Sequence, residues 1–255
     1  MKLLLPIIFL SLIGCAGTVD SLVNTDPNPS CQYEVYRHDP SSWLLKTPEM
    51  HFIYDGSYWT TSTNFIEPQY YQNAWHNMLD LGTFLQRLSE YGIQSGTLDP
   101  VDHYSEPKLD MDSKSNLISK QIIVNDAALV ADINNDIVAG ILPFPNDNTL
   151  YVIMLPPNVI TATMINNSWN GYHGNTTYGS SRYAFAIIQY SSNYDNTDEI
   201  VGHELMEASS NPDNNSGYFD DKTGKEIGDI CESYTEQVDG YGVQKVFSES
   251  LCKCF

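Results

Sequence analysis

Asp198-Glu-Ile-Val-Gly-His-Glu-Leu-Met-Glu-Ala-Ser-Ser-Asn-Pro212 packs metal-site chemistry into a few residues. On a helix, residues four apart lie one above the other, so His203 and Glu207 share a face and can grip one ion. Glu204, one step round, faces a water bound to that ion and is placed to act as its general base. The spacing is that of H-E-x-x-H with a glutamate in place of the second histidine. Zinc accepts a carboxylate oxygen as well as an imidazole nitrogen, so the set suits one zinc ion. The added anionic ligand lowers the charge of the centre and makes harder metals more competitive.

Local signals around this stretch predict a strand followed by a helix. Asn196 or Thr197 caps the helix, Glu199 stands three residues after Asn196 as in a capping box, and Val201, Leu205 and Ala208 form a core-facing stripe. Ser209-Ser-Asn-Pro212 stops it. Upstream, Tyr183-Ala-Phe-Ala-Ile-Ile-Gln-Tyr190 has the aromatic and β-branched content of a buried strand. Strand, short loop and metal-binding helix is the order of zincin-type hydrolases.

Two ligands do not hold a catalytic metal, and Lys225-Glu-Ile-Gly-Asp-Ile-Cys231 offers the third. Glu226 and Asp229 are three apart, so one can ligate while the other orients a ligand by hydrogen bond. Both remain candidates at this level, with Asp220 and Asp221 weaker ones in an acidic turn.

These residues resemble a known family. His-Glu-Leu-Met-Glu-Ala208, Asn-Pro212, Gly-Tyr-Phe219 and Glu-Ile-Gly-Asp-Ile-Cys231 look like the pattern of the phosphate-induced protein 1, or EXORDIUM-like, family. His51-Phe-Ile-Tyr-Asp-Gly-Ser-Tyr-Trp59 resembles its early strand and glycine turn, Leu150 to Leu155 its central strand, and Gly171-Tyr-His-Gly174 its G-x-H-G element. The likeness spans residues 50 to 254 as scattered short motifs, and the glycine-rich stretch expected after the cysteine is reduced to Asp239-Gly-Tyr-Gly242. It implies an extracytoplasmic protein, and similar secreted bacterial proteins are described as metallopeptidases. It also draws attention to His173. The glycines beside it suggest an exposed tight turn, from which His173 would reach the cleft as a catalytic group that stabilises an oxyanion, or as a fourth metal ligand.

The N-terminus sets the compartment. Residues 1–14 carry one basic residue and an apolar run too short to span a bilayer, the form of a secretory signal. Leu12-Ile-Gly-Cys15 looks like a bacterial lipobox, which makes Cys15 a lipidated first residue and the only membrane contact; free secretion after ordinary cleavage is the alternative. Residues 15–30 then form a flexible tether, and 31–255 a single zincin-like domain. The location is the bacterial cell envelope, at the outer membrane, or the medium.

Beyond Cys15, four cysteines remain: Cys31, Cys231, Cys252 and Cys254. An even number in an exported chain suggests two disulfides. Cys252 and Cys254 are too close to pair easily, so Cys231 is expected to bond one and Cys31 the other. The net charge of −20 argues against a nucleic-acid partner, because phosphates would be repelled.

Elsewhere, Met50 to Tyr54 reads as a strand. Pro68 to Tyr91 reads as a helix with Trp75, Met78, Leu79, Leu85 and Leu88 as its apolar set, ending at Gly92. Asn116 to Asn134 reads as a helix or a strand-helix step, and Tyr151 to Leu155 as a strand stopped by Pro156-Pro157. The expectation is an α+β, zincin-like domain with a twisted mixed sheet, monomeric and acting on peptide or protein substrates. The competing expectation is a non-enzymatic envelope or extracellular binding protein that keeps the fold and a structural metal.

Overall fold

A computed structural model describes residues 33–61, 66–80, 84–105 and 122–255. The first half runs β1 (Val35–Arg37), β2 (Glu49–Asp55), α1 (Ile66–Asp80), β3 (Thr97–Leu98), β4 (His103–Ser105), β5 (Ile122–Val124) and α2 (Asp126–Val138). Then come β6 (Thr149–Met154), β7 (Val159–Thr161), α3 (Ala162–Asn167), β8 (Gly171–Tyr178), β9 (Ser181–Ile188) and α4 (Tyr194–Ser210). The last part holds β10 (Tyr218–Asp220), α5 (Ile227–Ile230), β11 (Thr235–Val238), β12 (Tyr241–Gln244), β13 (Phe247–Ser248) and β14 (Lys253–Cys254). The architecture is α+β around a mixed sheet.

That sheet has the order β3-β2-β6-β9-β8, with β4 also paired to β2. β2, β6 and β9 run parallel at its centre, and β8 closes one side antiparallel to β9. The central strands are apolar on both sides because both are covered: all six residues of β6 are buried. Alternation along β2 sorts the faces. Met50, Phe52 and Tyr54 join the core of α1 and α4, with Trp75, Val201 and Leu205. Ile53 joins the core of α2, with Leu129, Ile133 and Ile137.

Several expectations shift in detail. The helix foreseen over Pro68 to Tyr91 is divided: α1 ends at Asp80, and Leu85–Tyr91 is a 3-10 turn closed by Gly92 in the left-handed region. All five apolar residues predicted for it are nonetheless buried. Asn116 to Asn134 resolves into a strand-helix step, β5 and α2, its first residues lying outside the described ones. The strand before α4 sits two residues earlier than predicted, and α4 starts at Tyr194, capped by Asn193, whose side chain accepts from Asp195 N–H. Asn193 outcompetes Asn196 because an Asx turn onto Asp195 closes the first orphan amide there.

The predicted bridge between Cys231 and the C-terminal pair exists as Cys231–Cys254, with Cα atoms 5.9 Å apart. Cys252 is also disulfide-bonded. Cys31, Cys15 and the predicted signal and tether fall outside the described residues. No helix among the described residues is long and apolar enough to cross a membrane.

Candidate metal centre

α4 carries the predicted residues along the side that faces β8, α5 and β12. Glu204 and Glu207 are 4% and 5% exposed, so both carboxyls are out of bulk water. His203 Nε2 lies 3.1 Å from Glu207 Oε1 and 3.9 Å from Asp229 Oδ1, and one ligand atom from each of these three residues falls within 4.8 Å of the others. The other histidine nitrogen is fixed: Nδ1 donates to Gln244 Oε1 at 3.0 Å, and the Gln244 amide donates to Gly228 O at 2.7 Å. A ligating histidine is ordinarily held by such a bond, which sets the tautomer and aims Nε2 at the ion.

α5 divides the two downstream acids. Asp229 Oδ2 accepts from Glu226 N–H at 3.3 Å, which leaves Oδ1 turned toward His203. The Asp229 N–H in turn donates to Glu207 Oε1 at 3.1 Å. Glu226 Oε1 accepts from Asn211 Nδ2 at 2.7 Å and stands 3.8 Å from His173 Nε2. Asp229 therefore stands with His203 and Glu207, and Glu226 with His173. The weaker candidate Asp220 is engaged elsewhere, accepting from Glu34 and Thr223 N–H.

His173 reaches the centre by a different route from the one expected. Gly171-Tyr-His-Gly174 is the start of β8, not an exposed turn; His173 pairs with Ala186 and is 6% exposed. Its glycines serve close approach. A Cβ on Gly171 would stand 2.6 Å from Ile200 Cγ2 and 2.8 Å from Glu204 Oε1, and one on Gly174 would stand 2.7 Å from the Phe185 ring. His173 Nδ1 is 3.4 Å from Glu204 Oε2 and 3.6 Å from Glu207 Oε2, while Nε2 meets Asn211 O at 3.4 Å.

The electrostatics follow from this crowding. Burial opposes a proton on His173, but Glu204, Glu226 and Glu207 outweigh it and raise its pKa to about 9. At His203 burial is again overcome, by Glu207 and Glu204, and the pKa rises well above the ordinary value. Burial raises Glu204, and burial with the Glu207 charge raises Glu226 to about 7. Glu207 alone is lowered: burial is outweighed by His203 and His173.

The donor set fits a divalent cation. Glu204 Oε2 is buried without a well-formed hydrogen bond, and a Cβ on Gly228 would sit 2.7 Å from Glu207 Oε1, so only glycine lets that carboxylate lie there. The excess of carboxylate over imidazole calls for positive charge in the same space. A cleft of about 640 Å³ opens onto the group; its wall adds Trp169, Tyr190, Glu199 and Glu232, and contains no lysine or arginine among the described residues.

Sequence reasoning missed Gln244 and Asn211. Asn211 stood out as a helix stop and in the Asn-Pro212 element of the resemblance, with no role at the site, yet it donates to Glu226 and accepts from Gly217 N–H at 2.8 Å. The one available signal for Gln244 was its place at the end of an apolar strand, where a buried amide needs partners. No protein-family model matches the chain, and no curated protein matches it.

Proposed function

We propose that this chain is a zincin-like metal-dependent hydrolase of peptide bonds, exported to the cell envelope or beyond, with His203, Glu207 and Asp229 holding one zinc ion. The single observation that carries the reading is the aim of His203: Gln244 holds Nδ1, Nε2 meets Glu207 and Asp229, and the buried Glu204 stands alongside, its Oε2 3.4 Å from His173 Nδ1 and without a well-formed hydrogen bond. A divalent ion at such a set supplies Lewis acidity toward a carbonyl and makes water acidic near neutral pH.

Glu204 accepts the proton of the attacking water at Oε2 and returns it to the leaving amine. Its burial suits the task, because desolvation raises its proton affinity toward working pH. His173, 3.4 Å from Glu204, steadies that carboxylate and contributes positive charge beside the developing oxyanion. Glu226 and Asn211 position His173 from behind. The acidic cleft wall binds the substrate, and the Cys231–Cys254 bridge accords with an oxidising compartment.

A second reading has its own support. His173, Glu204 and Glu207 also bring ligand atoms within 4.8 Å of one another. A cation held by that trio would take Glu204 as a ligand and leave no base, which makes the chain a binding protein with a structural ion. Glu204→Gln separates the two. The hydrolase reading expects zinc content to stay at about one per chain and cleavage of a mixed peptide library to fall by about 10²–10⁴-fold. Loss of the metal with that substitution supports the structural site, and full activity with it would sink the mechanism.

A further inference from the structure

Across the sheet from α4 lies a second cluster of ligand-type side chains. His51 comes from β2, Asp99 directly follows β3, and His103 opens β4; an atom from each lies within 4.8 Å of the others. Both imidazoles select the same oxygen: His51 Nδ1 stands 2.8 Å and His103 Nε2 2.9 Å from Asp99 Oδ2. The other oxygen, Oδ1, is already occupied, accepting from Val101 N–H at 3.0 Å. The carboxylate is thereby locked with one oxygen turned to the two histidines.

The backbone holds the three residues on rigid elements. Asp99 N–H donates to Met50 O at 2.9 Å, and His103 pairs in register with Ile53 of β2. His51 and Ile53 point to the α2 side of the sheet, so this cluster and the α4 centre occupy opposite faces. The side chains of His51, His103 and Asp99 are 11%, 8% and 16% exposed, shielded yet reachable from solvent.

We infer that His51, Asp99 and His103 form a second divalent-cation site, a two-histidine, one-carboxylate set for zinc or a neighbouring transition metal. Ligands about 2.0 to 2.2 Å from one ion stand roughly 3.3 to 3.6 Å apart in a tetrahedron, so the histidine nitrogens, 2.8 and 2.9 Å from Asp99 Oδ2, need separate from it by only about half an ångström to admit the ion. The set offers two imidazoles and one carboxylate, in contrast to the carboxylate-rich centre on the other face, and so favours a borderline metal over calcium. Three protein ligands leave positions open to water or a small anion. The competing account is a plain hydrogen-bonded clamp of two histidines on one carboxylate, which binds no metal.

The test is zinc content of the full chain after equilibration with Zn²⁺ and removal of the excess. His103→Gln and Asp99→Asn are each expected to lower it by about one ion per chain relative to wild type. The result is a difference, so it stands whether or not the α4 centre fills; His203→Ala reports on that centre separately. Unchanged zinc content in both variants overturns the site. Should either variant fail to fold, wild-type crystals grown with Zn²⁺ decide: an anomalous peak at the zinc edge between His51, Asp99 and His103 supports the site, and its absence leaves the clamp.

Discussion

The two faces of the central sheet treat their buried histidines in opposite ways. Beside α4, His173 and His203 meet Glu204, Glu207, Glu226 and Asp229, and both are driven toward the protonated form despite burial. On the α2 side, His51 shares Asp99 with His103; burial prevails there over the single carboxylate and lowers its pKa. Desolvation pushes His173, His203 and His51 alike toward neutrality, so the carboxylates facing each of them set the sign. The α4 group sets four carboxylates against two imidazoles, whereas Asp99 alone faces both His51 and His103.

The largest effect that would break this contrast comes from Gln244→Leu. It frees His203 Nδ1 while leaving every α4 ligand in place, and zinc affinity at that centre is expected to fall by about 10- to 100-fold. Isothermal titration reads it, and loss of affinity at the His51 cluster in the same variant would show the faces to be coupled.

A pH series sharpens the comparison next. A cation at the α4 centre displaces a proton that the metal-free protein holds on His203 well above the ordinary histidine range. Its zinc affinity is therefore expected to keep climbing above pH 7, by up to about tenfold per pH unit for each proton released. The His51 cluster, with an imidazole shifted below its ordinary value, is expected to level off near neutrality. Equal slopes at the two places would remove the distinction.

The smallest effect concerns a carboxyl that burial holds in its protonated form. Asp198 on α4 accepts from Trp75 Nε1 at 2.9 Å, and burial raises its pKa to about 8. Its unfolded value is near 3.8, so as pH rises from about 4 to 8 the fold must retain a proton that the unfolded chain has released. Stability is fully present below that window and is lost through it. Asp198→Asn keeps the acceptor for Trp75 and removes the titration; it is expected to stabilise by about 1–2 kcal/mol at pH 8 and by nothing at pH 4. Thermal melts at both values check this, and a gain that does not grow with pH would count against the buried acid.

The sequence made the α4 group legible because its residues obey short-range rules. His203, Glu204 and Glu207 follow helical spacing, and Glu226 and Asp229 follow the three-residue reach of a helix cap. His173 was found by its motif but placed wrongly, since glycine in a turn and glycine beneath a helix look alike until a packing partner is known. The His51 cluster left no local signal, for it depends on parallel pairing that brings His51 to residues 48 and 52 positions later. The same holds for the ends of α4, where Asn193 and Asn196 compete as caps and only the strand before them decides. Core positions were easier: Trp75, Leu85 and Leu88 are buried even though the predicted helix is broken between them.

Cys231 closes α5 and Cys254 lies on β14, so their sulfur bridge ties the segment bearing Asp229 to a strand 23 residues further along. Closing a loop of 23 residues restricts the unfolded alternatives by about 3 kcal/mol. Reducing that bridge is therefore expected to loosen the α5 end of the group, with His203 and Glu207 still fixed on α4.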